Sequence, residues 1–374
     1  MVVAGEASGD HHGAALCRAL AEQAPGARVF GMGGPAMAAA GAQLLADVSR
    51  RAVVGASEAV GGVPALYRTY RRLCGELERQ RPAALVVIDF PEFNLRLAAA
   101  ARRIGVPVIY FVPPQIWAWR GWRMRTIRRL VSLVLAVFPV EPALYRAAGV
   151  RVEFVGHPLL DTLAGAPPRA AARAELALPA DALVIGLLPG SRRAEVSRMA
   201  PLLAATACRI ASVYPGARFV VGLAPTVDAG LLTGNPGTTA MQVVSNRAYT
   251  VMRAADVLLV TSGTATLEAA LLGTPMVVGY RVSLVTEALG HWLLRVPWIS
   301  LANIILGRGA VPEFFERSST TDDRLADAAL ALLRDAPARE AQRAAFREVA
   351  ALLGEPGVGT RAARLVLAAA GNAA

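Results

Sequence analysis

Short apolar runs alternate with stretches of helical periodicity along the chain, the pattern of buried parallel strands joined by helices. The fullest unit is Leu258–Val278: an apolar run, a small polar turn at Ser262–Thr264, a helical stretch stopped by Gly273 and Pro275, and a second apolar run. It reads as strand, helix, strand. The same reading places strands at Val2–Ala4, within Arg28–Pro35, and at Ala84–Ile88, Val106–Val112 and Ser132–Pro139, with Val152–Leu159 leading out of the first domain. In the second half it places them at Leu183–Leu188, Arg218–Gly222 and Asp256–Thr261. Helices are expected at Ala14–Gln23, after a glycine-rich turn over Gly5–Gly13, and at Ala171–Leu176, Tyr249–Ala254 and from Thr320 onward. The closing stretch Arg361–Ala370 is amphipathic and is expected to pack back on the first half.

At 374 residues the chain exceeds one ordinary core, and two α/β domains of about 160 to 180 residues each are the natural division. The Gly-, Ala- and Pro-rich stretch Ala164–Ala170 marks the boundary, giving domains at 1–165 and 170–353 and a helical segment at 354–374. The first strand is short beside the roughly five or six residues of an ordinary interior strand, so the true start is expected to lie upstream of Met1.

Charge narrows the partners. The net charge is +11 and all 39 Lys+Arg residues are arginine, which leaves no Schiff-base or P-loop lysine and favours nucleotide phosphates, acidic lipid headgroups or nucleic acid. Cys17, Cys74 and Cys208 lack CxxC spacing, and His11, His12, His157 and His291 are scattered, so a reducing compartment is expected and no metal centre. No basic, apolar signal sequence opens the chain, and the apolar stretch Leu284–Leu306 is broken by Glu287, His291, Arg295 and Pro297. A cytosolic protein able to touch a membrane surface fits.

Candidate chemistry sits at strand ends. Asp89 follows a buried apolar run, where apolar walls raise a carboxyl pKa and make a better base; capping the next helix is the structural alternative. Glu6 and Asp10, after the first strand, are the other carboxylates placed to act; Ser8 and Asp10 also suit helix capping. In the second half, Gly190 and Ser191 offer backbone N–H groups beside the Arg192 fork, and Ser262, Gly263 and Thr264 open a helix whose free amides suit an anion. Glu268, one turn further, is placed to take two sugar hydroxyls, and the Asn303 amide to help hold a nucleotide. Val53, Val54, Val60, Val63 and Leu66 form an apolar stretch followed by Arg68, Arg71 and Arg72, and Trp117, Trp119 and Trp122 lie among arginines. Both suit a lipid interface, and core packing is the alternative for the first. No nucleic-acid recognition fold surrounds the tryptophans. Val29–Pro35 lacks the third glycine of a dinucleotide fingerprint, which argues against a dehydrogenase.

GEASGD (5–10), IDFPEFN (88–94), PPQIWAWR (113–120), VGHPLLD (155–161), LLPGSRRAEV (187–196), TSGTATLEAALLGTPMVV (261–278), YRVS (280–283) and SLANIILGR (300–308) resemble, in order, the lipid-A-disaccharide synthases. The resemblance implies an α/β protein of two Rossmann-like domains facing a cleft, the GT-B glycosyltransferase fold. It implies an inverting, metal-independent and cofactor-free transfer from UDP-2,3-diacylglucosamine to the 6-hydroxyl of 2,3-diacylglucosamine 1-phosphate, giving a β-1,6 disaccharide and UDP at the inner-membrane surface. Asp89 matches the base; Arg192, Glu268 and Asn303 match positions tied to activity or UDP; the stretch from Val53 to Leu66 matches a membrane-facing, phospholipid-contacting surface. The short first strand and Glu316, where Gln is expected, depart from the pattern. The nearest rivals are the peptidoglycan lipid-intermediate GlcNAc transferases and the UDP-GlcNAc epimerases.

Overall fold

The structure, a computed structural model, describes residues 1–47, 59–116, 123–225, 227–232, 241–281, 297–315 and 321–371. The chain divides into two compact units, one of Met1–Asp161 with Leu353–Ala374 and one of Thr162–Leu352.

The first unit runs β1 (Val2–Ala4), α1 (Ala7–Gln23), β2 (Phe30–Gly33), α2 (Pro35–Ala39), β3 (Gln43–Asp47), α3 (Ala59–Gln80), β4 (Leu85–Ile88), α4 (Pro91–Arg103), β5 (Val108–Phe111), α5 (Arg123–Leu130), β6 (Leu133–Ala136), α6 (Glu141–Ala147), β7 (Val152–Phe154) and α7 (Leu159–Leu163). The second runs α8 (Arg169–Glu175), β8 (Val184–Leu188), α9 (Arg193–Val213), β9 (Arg218–Leu223), β10 (Gln242–Ser245), α10 (Ala248–Ala254), β11 (Val257–Thr261), α11 (Thr264–Leu271), β12 (Met276–Tyr280), α12 (Leu301–Leu306), β13 (Glu313–Phe315), α13 (Thr321–Arg334) and α14 (Ala336–Leu352). The last helix, α15 (Val358–Gly371), belongs to the first unit.

The first unit's sheet has the order β3-β2-β1-β4-β5-β6-β7 and the second's β10-β9-β8-β11-β12-β13, with parallel pairing throughout. The central strands β1, β4, β5, β8 and β11 are buried at every position, as helices on both faces require of a parallel sheet. Their apolar runs were therefore readable in the sequence. β3, β10 and β13 are edge strands with no fully buried position, and none announces itself as an apolar run.

Each helix lays one stripe on its sheet. On α3, Leu73 and Leu77 are fully buried one turn apart, each contributing about 1.5–3 kcal/mol, while Arg68, Arg71 and Arg72 stay in water. α15 lies along α1, where the Gln23 side chain donates to the Thr360 carbonyl at 3.0 Å. The Asp161 carboxylate accepts from the amides of Gly357 and Val358, capping α15 from outside.

One local expectation needs correction. α1 begins at Ala7, so most of the expected Gly5–Gly13 turn is helix. The glycine at position 13 serves close packing, since a Cβ there would stand 2.5 Å from the Met37 sulfur on α2. A glycine required by a neighbour reads, along a single sequence, like one required by a turn.

Candidate active site

In each sheet the strand order reverses once, between β1 and β4 in the first unit and between β8 and β11 in the second. Open α/β sheets bind ligands outside the carboxyl ends of the strands at such points. The turns found there carry the residues singled out from the sequence: Glu6 after β1, Asp89 after β4, Gly190 to Arg192 after β8, and Ser262 to Thr264 after β11.

After β4 the backbone turns through two consecutive left-handed side-chain-bearing residues, Asp89 at φ 47° and Phe90 at φ 46°. Each costs about 1–3 kcal/mol and persists only where surrounding structure over-determines it. Two side chains supply hydrogen bonds at the same carbonyl: the Tyr110 hydroxyl donates to the Asp89 oxygen at 2.9 Å, and Asn94 Nδ2 donates to it at 2.7 Å. The Phe90 ring stacks on Phe93 and occupies the space a side chain at Gly5 would need, so the turns after β1 and β4 touch. Asp89 itself is half-buried. Burial pushes its carboxyl up to about 6, the Glu6 carboxylate adding to the rise and the Phe90 amide opposing it. Asp89 does not cap α4, whose N-cap is Phe90 with no side-chain bond. Glu6 is exposed at the N-cap of α1 and makes no side-chain cap bond there.

Asp10 needs a correction as a candidate base. It is 5% exposed, and its two oxygens accept from the amides of Gly34 at 2.7 Å, Ala36 at 3.0 Å and Met37 at 3.0 Å. It caps α2 rather than its own helix, and both of its oxygens are engaged by those amides. His12 and His157 are neutral: burial drives the first down to about 4, with His11 adding, and the second to about 3, with His12 adding. His157 Nδ1 accepts from the Leu159 amide at 3.2 Å, which fixes the turn into α7.

In the second unit the two glycine turns differ. After β8, Gly190 has φ 114° and the Arg192 side chain is exposed, but the Ser191 and Arg192 amides already donate to Glu195 Oε2, at 3.2 and 3.3 Å. Glu195 is the N3 member of a capping box, a signal readable from its spacing after the Pro-Gly-Ser turn. After β11, Gly263 has φ 142° and ψ −162°, a conformation essentially confined to glycine, and among the described residues no side chain caps α11. Its neighbours bond away from the turn: Ser262 Oγ donates to the Ile299 carbonyl at 2.7 Å and Thr266 Oγ1 to the Gly263 carbonyl at 2.8 Å. Gly263 and Thr264 are exposed.

Glu268 is half-buried, and its Oε1 accepts from the Tyr249 hydroxyl at 3.0 Å. Burial raises the Glu268 pKa, with the Tyr249 bond opposing. Tyr249, on α10, was read from the sequence only as a helix residue. Asn303 is 1% exposed, and its amide is used inside the unit. Nδ2 donates to the Val311 carbonyl and to Glu313 Oε1, while Oδ1 accepts from the Ala310 and Val311 amides. Glu313 in turn accepts from the amides of Ile299 and Ser300. In this structure the Asn303 amide supports the 299–313 segment, whose Ile299 carbonyl takes the Ser262 hydroxyl.

Of the expected lipid contacts, Val53, Val54, Trp117, Trp119 and Trp122 lie outside the described residues, as do Glu316 and the side chains of Val60 and Val63. Leu66 packs half-buried against the first unit's core; the exposed apolar surface beside it is Tyr67, 58% exposed.

The chain was compared with known proteins. The sequence profile of a family described as Lipid-A-disaccharide synthetase matches residues 1–364. The lipid-A-disaccharide synthase of Anaeromyxobacter dehalogenans (strain 2CP-C) is 40% identical over 370 residues, 98% of this chain and 96% of that one. That of Syntrophotalea carbinolica is 42% identical over 372 residues, 98% and 94% of the two chains. Among solved structures, the UDP-GlcNAc 2-epimerase from Neisseria meningitidis bound to UDP-GlcNAc superposes with a TM-score of 0.65 at 13% identity, over 98% of this chain and 99% of that one. The glycotransferase of kitacinnamycin does so with 0.61 at 21%, over 99% and 98%. At these identities the likeness shows the fold, the one shared by GT-B glycosyltransferases and such epimerases.

Proposed function

Since the chain belongs to the lipid-A-disaccharide synthetase family, enzymes that form the lipid A disaccharide by glycosyl transfer, we propose that its first unit holds the acceptor and supplies the base while its second holds a UDP-sugar. The donor is UDP-2,3-diacylglucosamine and the acceptor 2,3-diacylglucosamine 1-phosphate. The observation that carries this reading is the place of the two kinds of turn: a half-buried acid at the strand-order reversal of one sheet, and an uncapped glycine turn at that of the other.

Asp89 takes the proton of the acceptor's 6-hydroxyl as that oxygen attacks the anomeric carbon from the face opposite UDP, which inverts the configuration. With its carboxyl near 6 it is mostly ionised at neutral pH yet more basic than an ordinary aspartate, and a positioned base contributes on the order of 10² to 10⁴ in rate. Glu6, on the adjoining turn after β1, is the second carboxylate whose charge reaches Asp89. The leaving diphosphate gains charge as the bond breaks. The open amides and dipole of α11, the Gly190–Ser191 turn and the exposed Arg192 guanidinium stabilise it. Glu268, with one oxygen held by Tyr249, offers the other to the ribose hydroxyls.

The acylated substrates place the enzyme at the cytoplasmic face of the inner membrane, against phospholipid. The exposed Tyr67 with Arg68, Arg71 and Arg72 on α3 supports that site. No helix of the described residues is long and apolar enough to cross a membrane. The test is UDP release with purified substrates. Release is expected only when donor and acylated acceptor are both supplied, and turnover with an unacylated soluble acceptor alone would overturn the lipid assignment. Co-sedimentation with anionic vesicles, weakening with salt, tests the surface; binding indifferent to salt and to Tyr67→Ser counts against α3.

A further inference from the structure

Two buried polar side chains of the first unit, neither used in the reaction above, converge on one atom. The Tyr110 hydroxyl reaches the Asp89 carbonyl oxygen from β5, and Asn94 Nδ2 reaches it from the first turn of α4. Both residues are 0% exposed. Asn94 Nδ2 also donates to the Ile88 carbonyl at 3.0 Å, so it grips the last strand residue and the first turn residue together. Among the described residues its own Oδ1 has no hydrogen-bond partner. A buried amide with half its capacity unused is worse for stability than an apolar side chain of the same shape. What Asn94 contributes in return is its two donations, one to the peptide that leads into Asp89 and one to the peptide that leads out of it.

That turn needs holding. Asp89 and Phe90 are left-handed, and so is Val112 at φ 54°, whose carbonyl takes the Asp89 amide at 3.3 Å. Left alone, an aspartate at a strand end relaxes toward extended backbone, which swings its side chain to another face of the sheet. The two donors oppose that relaxation by holding the Asp89 carbonyl in place.

We propose that Asn94 and Tyr110 are positioning residues: their shared grip on the Asp89 carbonyl keeps that residue left-handed and so sets where its carboxyl stands. This rests on Asp89 being the base. Neither residue touches substrate in this scheme; both act through the Asp89 main chain. The groups whose charge reaches the Asp89 carboxyl are Glu6 and Glu92, and the Asp89 charge in turn reaches the Tyr110 phenol and raises its pKa.

The test uses Tyr110→Phe, which removes one oxygen and keeps the ring, and Asn94→Leu, which keeps the volume. In folded Tyr110→Phe, kcat is expected to fall about tenfold or more, on the scale of a misplaced reacting group, with the donor KM changed by less than about twofold. The ¹³C titration of the Asp89 carboxyl is expected to move down from about 6 toward the ordinary range as the group leaves its buried place. In an Asp89→Asn background, Tyr110→Phe is expected to change the residual rate by less than about twofold, because the two act in series. An unmoved titration with unchanged kcat in both folded variants overturns the proposal, as does an equal loss in the two backgrounds. Asn94→Leu, if folded, must show the same titration shift. Full turnover by Asp89→Asn sinks the base assignment instead, and the titration still decides the grip.

Discussion

The turn after β4 and the turn after β11 occupy the same topological place in two parallel sheets and are built by opposite means. The first puts side-chain-bearing residues, Asp89 and Phe90, into left-handed backbone and fastens them with hydrogen bonds from Tyr110 and Asn94. The second reaches its unusual backbone with Gly263, which needs no fastening, and leaves α11 uncapped. A base must have a side chain, so the strained turn has to be met by its surroundings. A phosphate seat needs only amides, so glycine suffices. The turn after β8 lies between the two, a glycine turn whose amides are held by Glu195.

Removing the acid is the severest way to break this contrast. Asp89→Asn keeps a residue that tolerates left-handed backbone, so it is expected to fold and to lose at least about a hundredfold in turnover, read by UDP release beside a melting curve. The acid's titration is the next largest effect. Because Asp89 acts ionised, kcat/KM is expected to fall below a midpoint near 6 by about tenfold per pH unit and to be level above it, an arm absent in Asp89→Asn. Stability runs the other way. A carboxyl raised above its unfolded value of 3.8 binds the proton more tightly in the folded state, so its contribution diminishes as pH rises from about 4 through about 6. Asp89→Asn is therefore expected to melt higher than the parent at pH 8 and not at pH 3, and equal shifts at both would contradict the burial of the carboxyl.

The seat is tested next. Gly263→Ala forces a Cβ into a glycine-only conformation, at about 1–3 kcal/mol, and is expected to weaken UDP binding by calorimetry about tenfold while the Asp89 titration stays in place. Binding as tight as the parent's would mean that diphosphate does not use this turn. The smallest expected effect is at the self-capped turn. Glu195→Gln removes a negative charge beside the leaving group's site, and UDP is expected to bind about two- to fivefold more tightly, a charge effect of about 0.3–1 kcal/mol. Weaker binding would show that the Glu195 charge, through its pairing with Arg192, shapes the seat.

The acid at the end of the β4 run and the small residues at the end of the β11 run were legible because burial on both faces forces an uninterrupted apolar strand, and its end is visible as the first polar residue. The partners of those residues were not. Tyr110 looked like one more apolar strand position, and Asn94 stood in a recognised motif without a role. Tyr249 and Glu313 are separated from the residues they support by 19 and 10 positions. Glu195 is the exception, since an acid at the third position of a helix is a local signal. Asp10 looked as available as Asp89 until the amides of α2 were found around it.

Alternating apolar runs and helical stretches determined, without any coordinates, that this is a chain of parallel β-α units with polar turns at the carboxyl ends of its strands, because burial and backbone hydrogen bonding act within a few residues. Which of those turns face a reversal of strand order, which carboxylate is left uncapped and raised, and which amides remain open were decided by tertiary structure alone. Hydrogen-bond partners and desolvation come from residues tens of positions away, and a linear pattern carries no record of who stands beside whom.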